Sequence, residues 1–293
     1  MTPAFVVEIV TPKKFVLKGL WFKPKKPKQA IVFVHGLGGS AFSMLPTVSK
    51  LVDAQTAVLT FNNRGHDVVS GLSTVGPFKR AWRPRRYGGA AHEVFTDCVD
   101  DIEGAITFVR RQGIKNVFLA GHSTGCQKSV YWAYKKGRGV KGIILLAPVS
   151  DYAGALERHG KRKLERVAKA ARAMVRSGKA HELLPRSLWP EGPDDAQRFL
   201  SLYTPQSVEE IFSYIQAAKA PRTLRSVKVP MLVLWAGNDE YSKRPVKAIL
   251  DWFEWNVGKK GTVAVVPGVP HRFGGGERVV ARKVKQFMKE CYP

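Results

Sequence analysis

NVFLAGHSTGCQ, residues 116–127, is the stretch of sequence that decides the fold. Residues 117–120 are apolar or small and predict a short buried strand, and a helix-compatible run begins after the second glycine of the motif. The G-x-S-x-G motif between them predicts a sharp turn with Ser123 at its apex. Gly121 and Gly125 favour that turn, because a serine that projects out of a sheet needs a strained backbone and small neighbours. The stretch therefore predicts that Ser123 is a nucleophile.

Strand-like and helix-like patterns alternate along most of the chain, which predicts a mostly parallel, doubly wound α/β sheet. The strand-like runs are residues 5–10, 15–22, 30–34, 57–61, 117–120, 142–147, 231–235 and 262–266, and the first two predict a hairpin at the edge of the sheet. Helical patterns at about 156–179 and 208–217 replace strands between residues 151 and 226. We therefore predict a core domain of residues 1–148 and 227–293 and a helical cap, or lid, of residues 149–226. Such a cap would cover the edge where open α/β sheets bind ligands.

Two further segments lie before the serine motif. Residues 93–112 carry an apolar stripe with the period of an amphipathic helix, and Asp97, Asp100 and Asp101 on its other face are expected to face solvent. Residues 70–89 are rich in glycine, proline and arginine and have no clear period, so we predict a loop there.

A serine needs a base to activate it, and the base needs an acid to orient it. His271 follows the last strand-like run and Asp239 follows the one before it, so the chain order is nucleophile, acid, histidine. Glu240 is an alternative acid, but Asp239 is favoured because a preceding glycine and asparagine suit a tight turn. His35 and His122 are interpreted as structural neighbours of the motifs. The predicted catalytic residues are therefore Ser123, Asp239 and His271.

A second glycine-rich turn, HGLGG at residues 35–39, follows the strand-like run 30–34. It lacks the spacing of a dinucleotide-binding turn and the lysine of a P-loop. Beside a nucleophilic serine, such a turn can present a backbone N–H to an oxyanion. We expect the N–H groups of Leu37 and Thr124 to form the oxyanion hole.

Together, His35-Gly36, Arg64-Gly65-His66, the motif at 121–125, Asp239 and His271 resemble the α/β-hydrolase superfamily over nearly the whole chain. The continuation of the motif into Gln127, the residues RFLSL at 198–202 and DEY at 239–241 are similar to fungal esterases that open the ester bonds of fusarinine-type siderophores. This resemblance implies an α/β-hydrolase fold and a serine esterase.

Charge is the unusual feature of the composition. The chain has 48 Lys and Arg against 23 Asp and Glu, a net charge of +25, which raises nucleic acid, anionic membranes and acidic substrates as partners. The basic residues are spread along the chain without a nucleic-acid-binding motif, so no specific nucleic acid is expected and a solvated surface is the simplest interpretation. Arg83 and Arg85 lie in a basic loop expected near the serine, which suggests that they bind a negative charge on the substrate.

The remaining features limit the class of protein. Cys98, Cys126 and Cys291 lack the spacing of a disulfide framework or a zinc site, and Cys126 is interpreted as a small buried thiol. No apolar run is long enough to span a bilayer and the first residues do not form a signal peptide, so we expect a cytoplasmic protein without a transmembrane segment. The oligomeric state is open.

The leading hypothesis is a serine carboxylic ester hydrolase that acts on a small-molecule ester through an acyl-enzyme, with no metal or organic cofactor. A peptidase, thioesterase or amidase could use the same three residues. A catalytically silent cationic binding module is the alternative of another class, and the complete set of Ser123, Asp239 and His271 argues against it.

Overall fold

The structure is a computed structural model that describes residues 3–76, 86–137, 139–216 and 218–292. Within these residues ten strands form one mixed sheet. The strands are β1 Ala4–Val10, β2 Phe15–Phe22, β3 Gln29–Val34, β4 Thr56–Phe61, β5 Ser70–Thr74, β6 Arg86–Gly88, β7 Asn116–His122, β8 Ile143–Leu146, β9 Met231–Ala236 and β10 Gly261–Val266. The α-helices are α1 Leu45–Leu51, α2 Cys98–Arg111, α3 Thr124–Lys136, α4 Asp151–His159, α5 Lys161–Arg176, α6 Ala196–Tyr203, α7 Arg222–Arg225, α8 Val246–Val257 and α9 Glu277–Cys291.

The strand order is β10-β9-β8-β7-β3-β4-β2-β5-β6, and β1 pairs with β2. From β4 to β10 every neighbouring pair is parallel, whereas the pairs that involve β1, β2, β5 and β6 are antiparallel. This confirms the mostly parallel α/β sheet and the N-terminal hairpin. The parallel strands are continuous apolar runs because helices cover both of their faces.

Two apolar clusters, one on each face, hold the helices to the sheet. Two successive residues of β3 show the division. Val32 belongs to the cluster on the face covered by α2, α3 and α8, and Phe33 belongs to the cluster on the face covered by α1 and α9. Successive side chains of a strand point to opposite faces, so a wholly apolar strand contributes to both clusters.

The strand order reverses direction at β3. From β3 the chain moves to β4 on one side, and from β7 it moves to β8 on the other, which creates a crevice at the carboxyl ends of β3 and β7. Val34 lies opposite Gly121 in the parallel register, so the turns that follow these two strands lie side by side. The two glycine-rich motifs of the sequence therefore meet at this crevice.

Between β8 and β9 the chain forms helices α4 to α7. A third apolar cluster lies among α4, α5 and α6, and Leu164, Val167, Ala168 and Ala171 supply one face of α5 to it. The predicted helical stretch at 156–179 is confirmed as two helices that meet at Gly160, which has a φ of 76°. The boundaries of a separate cap at residues 149 and 226 stay a prediction.

The helix predicted around residues 208–217 is wrong, because the described residues 208–216 are irregular, with one turn at 214–215 and no helix. Glu209 and Glu210 are adjacent and both are buried, with Glu209 on the Arg198 guanidinium and Glu210 on the Ser150 hydroxyl. These tertiary contacts replace the local helical preference.

The loop predicted at 70–89 is also partly wrong, since residues 70–74 and 86–88 pair as β5 and β6. Residues 71, 73 and 74 of β5 are exposed and its sequence SGLST has one large apolar side chain, so the strand lacks the apolar alternation that sequence analysis relies on.

The aspartates of α2 and the turn before it do not face solvent as expected. Asp100 and Asp101 are buried, and the Arg64 guanidinium donates to Asp101 Oδ1 at 2.7 Å and to Asp100 Oδ2 at 3.1 Å. Asp97 lies 3.2 Å from the same guanidinium. These carboxylates contact the buried guanidinium of Arg64, just after β4. The periodicity of the helix sequence gives no sign of this partner.

Candidate active site

Ser123 occupies the turn between β7 and α3 in a strained conformation. Its φ of 55° and ψ of −127° lie outside the regions that non-glycine residues ordinarily adopt. A side chain at Gly121 would overlap the Gly125 carbonyl, and one at Gly125 would overlap the Val34 carbonyl. Both glycines of the motif are therefore required by close backbone approach.

The turn after β3 lies directly against this serine. A Cβ atom at Gly36 would be 2.8 Å from Ser123 Cβ, so no larger residue fits there. Leu37 follows in the same turn, and Thr124 is the first residue of α3, whose N-terminal N–H groups have no partner within the helix. The turn that carries Leu37 and the end of α3 that carries Thr124 thus flank Ser123.

His271, which lines the same cavity as Ser123, contacts Asp239. His271 Nδ1 lies 2.7 Å from Asp239 Oδ2, and both side chains are almost fully buried. The backbone N–H of Tyr241 donates to the other oxygen, Asp239 Oδ1, at 3.0 Å. Asp239 therefore accepts one hydrogen bond on each oxygen, which leaves its carboxylate one orientation.

Glu240, the alternative acid, faces another part of the same histidine. Its Oε2 accepts the backbone N–H of His271 at 2.8 Å. Burial opposes ionisation of this carboxyl, but the backbone N–H groups of His271 and of Glu240 itself hold its pKa below the usual value. Glu240 is thus placed to fix the His271 backbone, whereas Asp239 contacts the imidazole ring.

Two neutral histidines support the loops of the site. Burial, reinforced by the charge of Lys128, lowers the pKa of His35 to about 3; its Nδ1–H donates to the Gly36 carbonyl, and its Nε2 accepts from the N–H of Asn63. Burial likewise lowers the pKa of His122 to about 3, and its Nε2–H donates to the His271 carbonyl at 3.0 Å. Both act as the structural neighbours that the sequence suggested.

A cavity of about 160 Å³ opens at Ser123. It is bordered by His271 and by the turn of Gly36 and Leu37. Three charged residues that sequence analysis missed also line it, namely Asp151, Arg158 and Arg272. Arg272 could have been noticed as the neighbour of His271, but α4 comes from a distant part of the sequence and gives no such signal.

The other candidate groups lie elsewhere. Cys126 is buried, as the sequence suggested, and burial raises the pKa of its thiol well above the usual value. His66 and His92, for which the sequence offers no partner, contact the Asn63 carbonyl and the Asp195 carboxylate. Arg83 and Arg85 lie outside the described residues.

A buried ionic network joins α6 to the core close to the site. Arg198 on α6 contacts the Glu209 carboxylate at 2.6 Å and the Glu93 carboxylate at 3.0 Å, and Lys128 on α3 contacts Glu93 at 2.6 Å. The Arg198 and Lys128 side chains are fully buried, so each charge depends on its partners. The network fixes the helices between β8 and β9 to the helix that begins at Ser123.

A known protein family matches most of the chain. Residues 17–289 match a family described as "Protein of unknown function (DUF1749)". The chain belongs to this family. No helix among the described residues of this DUF1749 protein is both long and apolar enough to cross a membrane.

The protein is also similar to several characterised or named proteins. It is 25% identical over 253 residues, 85% of either chain, to "Putative esterase/lipase 2" of Mycoplasma genitalium. Its structure is similar to a siderophore hydrolase, EstB from Aspergillus fumigatus, with a TM-score of 0.69, 17% identity, and 99% and 98% of the two chains covered. Est1E from Butyrivibrio proteoclasticus, in complex with ferulic acid, gives a TM-score of 0.62 at 16% identity over 97% and 98% of the chains. The DUF1749 protein therefore has the α/β-hydrolase fold that the sequence resemblance implies.

Proposed function

We propose that this protein is a serine carboxylic ester hydrolase with Ser123 as nucleophile, His271 as base and Asp239 as the orienting acid. The observation that carries the proposal is the strained turn that presents Ser123 to the cavity that His271 also lines, with Asp239 2.7 Å from the far nitrogen of that histidine. A positive φ at a serine is costly and is maintained where the surrounding structure requires it.

In the proposed reaction, Ser123 Oγ attacks the ester carbonyl while His271 Nε2 accepts its proton. The N–H groups of Leu37 and Thr124 donate to the oxyanion that forms. His271 then gives the proton to the leaving alcohol, which leaves an acyl-enzyme. Water then attacks the acyl group with the same histidine as base, the bond from the acyl carbon to Ser123 Oγ breaks, and the histidine returns the proton to Ser123 as the carboxylic acid is released. The reaction balances without a further reactant.

The relatives favour an ester over an amide or a thioester as substrate. The Mycoplasma protein is named a putative esterase/lipase, the Aspergillus protein is named a siderophore hydrolase, and the Butyrivibrio structure is Est1E with ferulic acid bound. A cavity of about 160 Å³ is close to engineered cavities that accommodate one benzene molecule. We infer that short acyl chains or a single ring enter this cavity. We also propose that the enzyme is cytoplasmic and that residues 149–226 form its cap.

The first test is the hydrolysis of p-nitrophenyl acetate and butyrate by the wild type and by Ser123→Ala. We expect the variant to keep at most the enhancement of about 10³ to 10⁴ over water that binding and an oxyanion hole provide. Ser49→Ala, an exposed serine on α1, is the matched control and should hydrolyse both esters like the wild type.

A fluorophosphonate probe gives an independent readout, because it forms a covalent bond to an activated serine with loss of fluoride. Peptide mapping should find the adduct on Ser123. A wild-type protein that neither hydrolyses these esters nor reacts with the probe would leave the silent binding module as the better interpretation. Cleavage of matched anilides or thioesters faster than the esters would favour the amidase or thioesterase.

A further inference from the structure

Two arginines of the cavity wall have no carboxylate partner. Arg158 and Arg272 both line the cavity at Ser123, and within the described residues neither makes an ion pair or a side-chain hydrogen bond, in contrast to Arg64 and Arg198. The residues outside the described part include no aspartate or glutamate. Both side chains are exposed and no described carboxylate lies at ion-pair distance from either guanidinium, so both are available to an anionic ligand.

Helix α4 directs Arg158 towards the cavity. Asp151, Gly154 and Arg158 occur at helical spacing, lie on one face of α4 and all line the cavity. A Cβ atom at Gly154 would lie 3.2 Å from Arg158 Nη1, which shows that the guanidinium folds back over the glycine. Long side chains of a helix point towards its N-terminus, and here that direction leads to the serine. Gly154 thus provides the space in which the guanidinium lies.

Arg272 lines the same cavity from another part of the chain, the loop after β10. It directly follows His271 and, although its side chain is exposed, it lines the same cavity as Ser123 and His271. Its positive charge contributes, after burial and His271, to the lowered pKa of His122, and it also helps to lower the pKa of Glu240. The positive charge of Arg272 therefore acts on groups that surround His271.

Among the described residues that line the cavity, Asp151 is the one acidic residue. One oxygen of its carboxyl accepts a hydrogen bond from the Gln127 amide at 3.1 Å. Burial, reinforced by the charge of Glu209, raises the pKa of this carboxyl to about 7, so near neutral pH a large fraction of it is uncharged. The two arginines therefore outweigh it, and the wall is cationic.

We propose that Arg158 and Arg272 form an anion subsite, and that the enzyme prefers esters that carry a carboxylate on the part remote from the scissile bond. The proposal rests on the proposed function and adds the substrate class to it. Guanidinium groups suit carboxylates because they donate two parallel hydrogen bonds. The small cavity limits the ligand to a short acid ester, with the carboxylate on either the acyl or the alcohol side.

Two matched pairs of substrates separate these sides. 4-Acetoxybenzoate and 4-acetoxybenzamide differ by a charge on the alcohol side, and monoethyl adipate and ethyl adipamate differ by a charge on the acyl side. We expect kcat/KM for the anionic member of at least one pair to exceed that of its neutral partner by about tenfold at low salt, as a charged hydrogen bond can provide. The advantage should shrink between 0.01 M and 1 M salt, where the Debye length falls from about 30 Å to about 3 Å.

The variants are Arg158→Gln, Arg272→Gln and the double substitution, with Arg162→Gln on the exposed face of α5 as the control of equal charge change. The ratio of anionic to neutral kcat/KM should fall in each single variant and approach one in the double variant, while Arg162→Gln keeps the wild-type ratio. Suppose that the neutral esters are hydrolysed in a reaction that depends on Ser123. If the anionic esters then show no advantage, or keep their advantage in the double variant, the subsite is refuted and the proposed esterase activity is not. Absence of any Ser123-dependent hydrolysis would instead refute the proposed function.

Discussion

Replacement of Asp239 by asparagine is the sharpest test of the proposed catalytic arrangement. The backbone N–H of Tyr241 points at Asp239 Oδ1, and a side-chain amide must place its carbonyl oxygen there because an N–H cannot accept. The amide NH₂ then faces His271 Nδ1, which in the wild type lies 2.7 Å from Oδ2. Nδ1 must become the acceptor, and the ring proton moves to Nε2.

A histidine with its proton on Nε2 cannot take the proton of Ser123. We therefore expect kcat of Asp239→Asn to fall by about 10⁴, which corresponds to about 5 kcal/mol of transition-state stabilisation. The matched variant is Glu240→Gln. Its carbonyl oxygen can still accept the His271 backbone N–H that Glu240 binds at 2.8 Å, so we expect a loss of about tenfold or less.

Both variants are assayed with p-nitrophenyl acetate at saturation, and their urea unfolding curves are compared with the wild type. A kcat of Asp239→Asn within tenfold of the wild type in a folded protein would refute the tautomer argument. A larger loss in Glu240→Gln than in Asp239→Asn would show that Glu240 is the acid.

Two further predictions concern stability. Arg198→Met removes the buried cation that contacts Glu209 and Glu93, and should lower the free energy of unfolding by about 3 to 5 kcal/mol in urea titrations. The control, Lys247→Met, breaks only the exposed pair with Asp251 and should leave the urea midpoint unchanged. Equal midpoints for the two variants would contradict the buried network. Burial is the main cause that raises the pKa of Glu210 to about 8 from an ordinary value of 4.5, so its contribution to stability is full below about pH 4.5 and is lost as the pH rises towards 8. Relative to Glu210→Gln, the wild type should lose about 1.4 kcal/mol per pH unit over that window, and parallel curves would show that Glu210 titrates normally.

Much of the fold could be predicted from the sequence because its signals are local. The runs that became β3, β7, β8 and β9 are apolar throughout, and the parallel sheet follows from their alternation with helical patterns. The turn at Ser123 was equally predictable, since only glycine tolerates the backbone contacts at residues 121 and 125. By contrast, β5 has exposed residues and no apolar pattern, and sequence analysis interpreted it as loop.

Two other errors concern charged side chains whose partners lie in other segments of the chain. Asp100 and Asp101 have the spacing of a wet helix face, yet they bind Arg64 from the end of β4. Glu209 lies in a helix-compatible sequence, yet it contacts the buried Arg198 guanidinium and its segment is not helical. Hydropathy patterns assign charged residues to the surface, and a buried partner that reverses this assignment is not visible in them.

For the candidate site, the sequence by itself predicted the types and order of the groups, Ser123, Asp239 and His271, because a candidate nucleophile, acid and base each follow a strand and parallel strands end at one edge. The tertiary structure decided which of the two acids faces the imidazole ring of His271. It placed Asp239 at His271 Nδ1 and Glu240 at the backbone N–H, although the two acids are adjacent in the chain. It also brought Arg158 from α4 to the cavity. Strand and turn signals act over a few residues, whereas the orientation of a side chain and the charge of a cavity depend on contacts between segments far apart in sequence.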